Sequence, residues 1–161
     1  MAPDRDVQIE RQSLFTRMAS AFARSDFDAV AQGVVPEIQL ILQGTSWLAG
    51  TYQGYEGFSH YLQSARLVLE PAGKPLTYLH HDDEMVVMHE FVIGGTVGGP
   101  EVPIHITVRF ADDGRLASLV IQPKDQAVFD DAVDSFLARH DPPGRTTDPG
   151  EDRLVVHGDA S

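Results

Sequence analysis

Leu48-Ala49-Gly50-Thr51-Tyr52-Gln53-Gly54-Tyr55-Glu56-Gly57-Phe58 is a glycine-punctuated turn that runs without a break into an amphipathic helical pattern. An amphipathic helix pattern precedes it and four β-like runs follow it, and that order of elements points to a pocketed α+β fold. Beyond the turn, Phe58, Tyr61, Leu62, Ala65 and Leu69 make one apolar face of a helix that Pro71 and Gly73 close.

Upstream, Phe15, Met18, Ala19 and Phe22 fall at helical spacing, with Arg11, Arg17, Ser20 and Arg24 on other faces, which predicts a helix over 7–24. Ser25, followed three residues later by Asp28, is a capping-box-like start for a second, shorter helix, which Gly33 and Pro36 end. A short strand is expected over 38–42. Downstream, strands are expected over 76–81 and 85–93, and a glycine-rich turn over 94–99 leads to a third strand over 102–110. Asp112-Asp113-Gly114 is a hairpin signal into a fourth strand over 115–122. The last helix begins at about Asp125, with Phe129, Val133, Phe136 and Leu137 opposite Asp130, Asp131 and Asp134. From Arg139 the chain turns Pro-, Gly- and Asp-rich, so residues 1–138 read as one domain and 139–161 as a tail outside it.

At 161 residues the chain suits one domain with a sizeable core. A hydrophobic fraction of 42% with mean hydropathy of -0.16 is that of a globular protein, and no run approaches the eighteen or so apolar residues of a membrane span. The N-terminal residues carry no apolar leader, so a cytoplasmic location is expected. The absence of cysteine excludes disulfides, thiolate metal sites and a cysteine nucleophile. Twenty-four acidic against twelve basic residues, a net charge of -12, argue against a nucleic-acid partner.

The segments Ser25-Asp26-Phe27-Asp28-Ala29-Val30, Leu48-Ala49-Gly50-Thr51-Tyr52-Gln53-Gly54 and Val108-Arg109-Phe110-Ala111-Asp112-Asp113-Gly114-Arg115-Leu116, with Asp125-Gln126 after the last strand, carry a resemblance over roughly residues 7–137. The chain resembles the nuclear-transport-factor-2-like superfamily, and within it the SnoaL-like polyketide cyclase branch. The resemblance implies an α+β cone: a curved mixed or antiparallel sheet wrapped around a deep apolar pocket closed by the N-terminal helices. It also implies a homodimer through the convex face of the sheet. The sequence is consistent with a covered second face, since both alternating sets in 85–93 are mostly apolar.

The superfamily includes isomerases, dehydratases, epoxide hydrolases, cyclases and pure binding modules, so the reaction must be sought in the site. The positions that in ketosteroid isomerases hold the working Tyr and two Asp correspond here to Met18, Leu42 and Ile106. The Arg-x-Asp of limonene epoxide hydrolases is replaced by Arg109-Phe110-Ala111, and the paired His of scytalone dehydratase has a counterpart only in the separation of His80 or His81 from His105. An apolar pocket of this kind suits a flexible substrate held by shape. The expected activity is a cyclase of natural-product, polyketide-type biosynthesis that closes a ring, cycloaddition among the routes, without metal or organic cofactor. The alternatives are an isomerase, dehydratase or epoxide hydrolase using Glu90 or a His as acid/base, and a non-catalytic carrier of an apolar small molecule.

Glu90 and Tyr55 are the expected catalytic groups. Alternation places Glu90 with Val86, Met88 and Val92, and a carboxyl on an apolar wall would have a raised pKa. In the opposite register Glu90 faces outward and His89 takes its place. Trp47, Tyr52 and Tyr55 surround the expected pocket mouth, with turn packing as the plainer role. Met18, Phe22, Leu42, Phe58, Tyr61, Leu62, Met88, Ile106 and Val108 complete the expected substrate-binding set. His105 lies with Thr107 and Arg109 on the outward side of its strand. His80-His81-Asp82-Asp83 diverges along a strand and is not expected to bind metal.

Overall fold

The computed structural model describes residues 2–94 and 100–139. Helix α1 spans Arg5–Ala23; Asp4 caps it by accepting from the Val7 N–H, two residues upstream of the expected start. Its buried face is Phe15, Met18, Ala21 and Phe22. Each of the larger side chains contributes roughly 1.5–3 kcal/mol of burial at most.

The passage to α2 (Phe27–Ala31) corrects one expectation. Ser25 does not cap α2; Asp26 does, accepting from the Ala29 N–H at 3.3 Å. Ser25 instead ends α1 with φ of 61°, while its own N–H donates to Phe22 O and that of Asp26 donates to Ala21 O. This pair of bonds is the motif in which a glycine usually occupies the left-handed position.

Strand β1 runs Val34–Leu42, longer than expected because it continues through Pro36. Its pairing with the last strand is interrupted between Val34 and Gln39, so the proline, which has no N–H to give, sits where no ladder bond is required. Within the glycine turn, Gly50–Gln53 forms a short strand β2 that pairs antiparallel with β1. Helix α3 (Gly54–Val68) follows directly, and the chain leaves it at Leu69, which belongs to strand β3 (Leu69–Pro71) and not to the helix. Strands β4 (Thr77–His80), β5 (Glu84–Ile93), β6 (Glu101–Phe110) and β7 (Leu116–Pro123) lie near their expected positions, and α4 covers Gln126–Arg139. The 94–99 turn, except Gly94, and the proposed tail beyond Arg139 lie outside the described residues.

The seven strands form one sheet in the order β2-β1-β7-β6-β5-β3, with β4 also paired to β5. All pairings are antiparallel except β1 with β7. The core lies between the inner sheet face and helices α1, α2 and α3, and α4 adds Phe129, Val133 and Leu137 to it. Two of the α4 carboxylates opposite its apolar face have partners on the key turn. Asp130 accepts from the N–H groups of Thr45 and Ser46, and Asp134 accepts from the Trp47 N–H at 2.9 Å. The turn that opens the key stretch is therefore clamped from 85 or so residues away.

Because Ser25 pays the Cβ penalty of a left-handed residue, Ser25→Gly is expected to raise stability by about 1 kcal/mol. Urea unfolding of the two proteins checks this; an unchanged or lower midpoint would show that the cap geometry is not under strain.

Candidate functional site

The cavity sits between the inner face of the sheet and the α1, α2 and α3 layer. Helix α1 supplies Phe15, Met18, Ala19 and Phe22, and α3 supplies Phe58, Tyr61 and Leu62. The sheet supplies Leu40, His89, Phe91, Ile106, Leu119 and Ile121, with Val30 and Leu69 at the margins. Its volume is about 80 Å³. That is small against the 300 Å³ or so at which drug-sized ligands begin to fit, so it admits only the end of a larger molecule.

Strand alternation decides which side chain of β5 enters. Met85, Val87, His89, Phe91 and Ile93 are buried, whereas Val86, Met88, Glu90 and Val92 are half-buried on the other face. Glu90 is thus not on the cavity wall, contrary to the expected placement. It stands outside, 3.1 Å from Lys74 Nζ, which also holds Glu101 at 2.7 Å. These bonds, to Glu101 first and then Glu90, raise the pKa of Lys74. The inward residue is His89, which is 7% exposed.

His89 packs into an aromatic layer: its ring is tilted by 41° to that of Phe91 with centroids 4.1 Å apart, and Phe91 meets Phe22 edge to face at 6.4 Å. Its nitrogens form no hydrogen bond with a described residue. Burial in this apolar shell lowers its pKa from 6.5 to about 4, because the imidazolium would lose its hydration with nothing in exchange. His89 is therefore neutral at physiological pH. Tyr61, the other polar side chain on the wall, is packed edge to face on Tyr52 at 5.2 Å, and burial, with Tyr52 second, raises its pKa. Its hydroxyl stays a neutral donor.

Of the other expected residues, Met18, Phe22, Phe58, Tyr61, Leu62 and Ile106 lie on the cavity wall. Leu42, Trp47, Tyr52 and Val108 are buried in the core away from it, and Met88 faces outward with Glu90. The Tyr52 hydroxyl donates to Leu48 O at 2.7 Å, which closes the key turn on itself. Tyr55 is 44% exposed at the start of α3 and donates to Val34 O at 3.3 Å, so it is not at the cavity either. Phe15, Leu40, Phe91, Leu119 and Ile121 were not among the expected binding residues. For Phe15 the signal was its place three residues before Met18 on one helix face, and for Phe91 its alternation with His89.

His105 faces outward as expected, opposite the buried Ile104 and Ile106. His80 bonds Gln12 at 2.7 Å beside α1, and burial, then Arg11, lowers its pKa. Among the described residues no three His, Asp or Glu side chains come together as around a metal ion, and no helix is long and apolar enough to cross a membrane.

The architecture is the nuclear-transport-factor-2-like fold. A nuclear-transport-factor-2-like protein from Burkholderia xenovorans superposes with a TM-score of 0.66 at 18% identity, over 77% of this chain and 95% of its own. A protein from Rhodopseudomonas palustris provisionally named an isomerase gives 0.62 at 15% identity, over 74% of this chain and 96% of that one. One from Sinorhizobium meliloti provisionally named a polyketide cyclase gives 0.56 at 20% identity, over 68% and 94%. These likenesses are ones of fold. No protein-family model and no curated protein matches the chain.

The lowered pKa of His89 makes a prediction about acid stability. Between about 4 and 6.5 the unfolded chain binds a proton at this residue that the folded chain does not, so stability present above 6.5 is lost as pH falls through that window. From pH 7 to about pH 5 the loss from this group is about 2 kcal/mol. Urea unfolding at the two pH values should show that increment in the parent protein and not in His89→Gln; equal acid sensitivity in both would place the titration elsewhere.

Proposed function

We propose that this chain is an enzyme of the cyclase or isomerase kind that takes a proton from carbon, next to a carbonyl, on a largely apolar substrate, with His89 as the base. The observation that carries this is a neutral imidazole, without a hydrogen-bond partner among the described residues, on the wall of a largely apolar cavity. A neutral imidazole can accept a proton, and a base that is largely buried needs little desolvation at the moment of reaction. Tyr61 supplies a neutral O–H for the oxygen on which charge develops.

Isomerisation and ring closure share that first step. An enolate once formed is reprotonated at another carbon, which moves a double bond, or attacks a second carbonyl of the same molecule, which closes a ring. The provisional names of the Rhodopseudomonas and Sinorhizobium proteins cover both outcomes. The SnoaL-like resemblance of the Leu48–Gly54 and Val108–Leu116 stretches favours ring closure on a polyketide-type chain. Glu90, on the opposite face of β5 and paired with Lys74, has no part in the step.

Proton exchange from the α-carbons of cyclopentanone and cyclohexanone in D2O, followed by NMR, tests the chemistry without the natural substrate. The protein is expected to accelerate exchange, His89→Gln to lower the acceleration about 100-fold, and Glu90→Gln to leave it unchanged. Exchange no faster than in buffer, or undiminished in His89→Gln, would leave binding without acid/base chemistry.

We also propose a homodimer through the outer sheet face, supported by the half-buried apolar row of Ile41, Val86, Met88, Val92 and Val120. Light scattering should give a dimer for the parent and a monomer for Met88→Glu. A monomeric parent at micromolar concentration would rule this arrangement out.

A further inference from the structure

On the outer side of α1, away from the sheet, lies a second and larger cleft of about 420 Å³, between α1 and the α2–β1 junction. Arg17, Ser20 and Arg24 line it from the helix, and Gln32 and Gly33 line it from the junction. Arg17 and Arg24 are seven residues apart, two turns along one helix face, about 10 Å by rise. Their partners leave much of each guanidinium free. Arg17 Nη1 donates to Ser13 Oγ and Arg24 Nη1 to Ser20 Oγ, each at 2.8 Å, and Arg24 Nη2 makes a long, exposed ion pair with Asp26 at 3.9 Å. Arg17 has no ion pair with a described carboxylate. In a chain with twice as many acidic as basic residues, two guanidiniums in one concavity, offset by the single carboxylate of Asp26 among the described residues, are a localised exception to the overall charge.

Met18 belongs to the wall of both spaces. Its side chain is seated where Gly33 has none: a Cβ on Gly33 would meet Met18 Sδ at 2.5 Å and Cγ at 3.1 Å. The residue common to the walls of the apolar cavity and the arginine cleft is thus an unbranched thioether with three rotatable bonds. The cavity alone is too small for more than one end of a molecule, whereas the cleft has the volume that the rest would need.

We propose that cavity and cleft are two halves of one binding site for an amphipathic organic carboxylate. Its apolar end lies beside His89, its carboxylate lies on Arg17 and Arg24, and its chain passes the displaced Met18 side chain. This rests on the reading of the cavity as the reaction chamber and names the substrate class for it. A monocarboxylate fits better than a phosphate dianion, because Asp26 stands beside Arg24 and already offsets part of its charge.

Calorimetric titration with the linear carboxylates from hexanoate to dodecanoate, against the matching alcohols, tests the cleft half. The full-length protein is expected to prefer the carboxylate to the alcohol, and Arg17→Gln with Arg24→Gln to weaken carboxylate binding about tenfold while leaving alcohol binding unchanged. NMR of the His89 ring tests the cavity half, since its signals should move when decanoate is added and Met18→Trp should suppress the shift. Carboxylate affinity unaffected by the arginine substitutions, or His89 signals that do not respond to decanoate, overturns the proposal. Neither readout depends on turnover, so a failed exchange assay with intact two-part binding would remove the reaction and leave the ligand class standing.

Discussion

β5 is hydrogen-bonded along both edges, to β6 over its whole length and on the other side to β4 and then β3. A slip of one residue would break all three ladders and turn its inner set outward. It would carry Glu90 onto the inner face, against the α1 side chains such as Phe22, and take it from Lys74. A carboxylate stripped of water and partner costs several kcal/mol, more than any single ladder bond returns. The register is therefore locked, and with it the identity of the one imidazole in the cavity. Glu84, at the start of the strand, meets Arg109 at 2.8 Å on the exposed side and marks the same register at the other end.

Helix α1 does two jobs on two faces, and Gly33 lets both coexist. Its apolar face closes the cavity while Arg17 and Arg24 point along the outer cleft, with Met18 between them. The carbonyl of Gly33 accepts from the Leu116 N–H at 2.8 Å, so the point at which α2 becomes β1 is tied to the sheet. Because the backbone is fixed there and carries no side chain, Met18 can lie flat against it. Packing at this junction is close enough that one added methyl would have to displace sulfur. The seat of Met18, which lines both spaces, is thus a consequence of where the glycine lies.

Much of this architecture is legible in the residues. The apolar faces of α1, α3 and α4 and the alternation in β5, β6 and β7 are strong periodic signals, and the structure places these elements within a few residues of expectation. The failures have local physical causes. Ser25 carries a capping residue type, yet it occupies the position where a glycine usually ends a helix, so its identity pointed to the wrong helix end. β2 is four residues inside a glycine-rich turn, too short for alternation to show. The α4 aspartates could be placed only opposite the apolar face, because nothing local tells that Asp130 and Asp134 meet the N–H groups of residues 45–47. Over the expected strand 85–93, both alternating sets of side chains are apolar apart from one polar residue each, so periodicity alone could not choose between His89 and Glu90. Leu42 and Val108 face inward as alternation requires, but depth along a strand, which separates core from cavity wall, has no periodic signature.

The energetics of His89 also constrain which chemistry the cavity can host. The acidic surface favours a protonated histidine, but that field is screened within about 8 Å at physiological ionic strength, whereas desolvation acts at contact. Burial wins, and holding the imidazole at about 4 instead of 6.5 corresponds to about 3 kcal/mol against the charged form. Such a base is weak toward any acid whose conjugate anion diffuses away. It becomes effective when the anion forms beside it: two unit charges about 4 Å apart at an effective dielectric of about 20 attract by about 4 kcal/mol, enough to offset the penalty. The cavity is thus biased toward steps that create an ion pair in place, as proton removal from a bound carbon acid does, and against steps that require a standing imidazolium. A carboxyl in the same position would have been held protonated and would have favoured the opposite role, so the one-residue alternation of β5 sets the direction in which a proton can move.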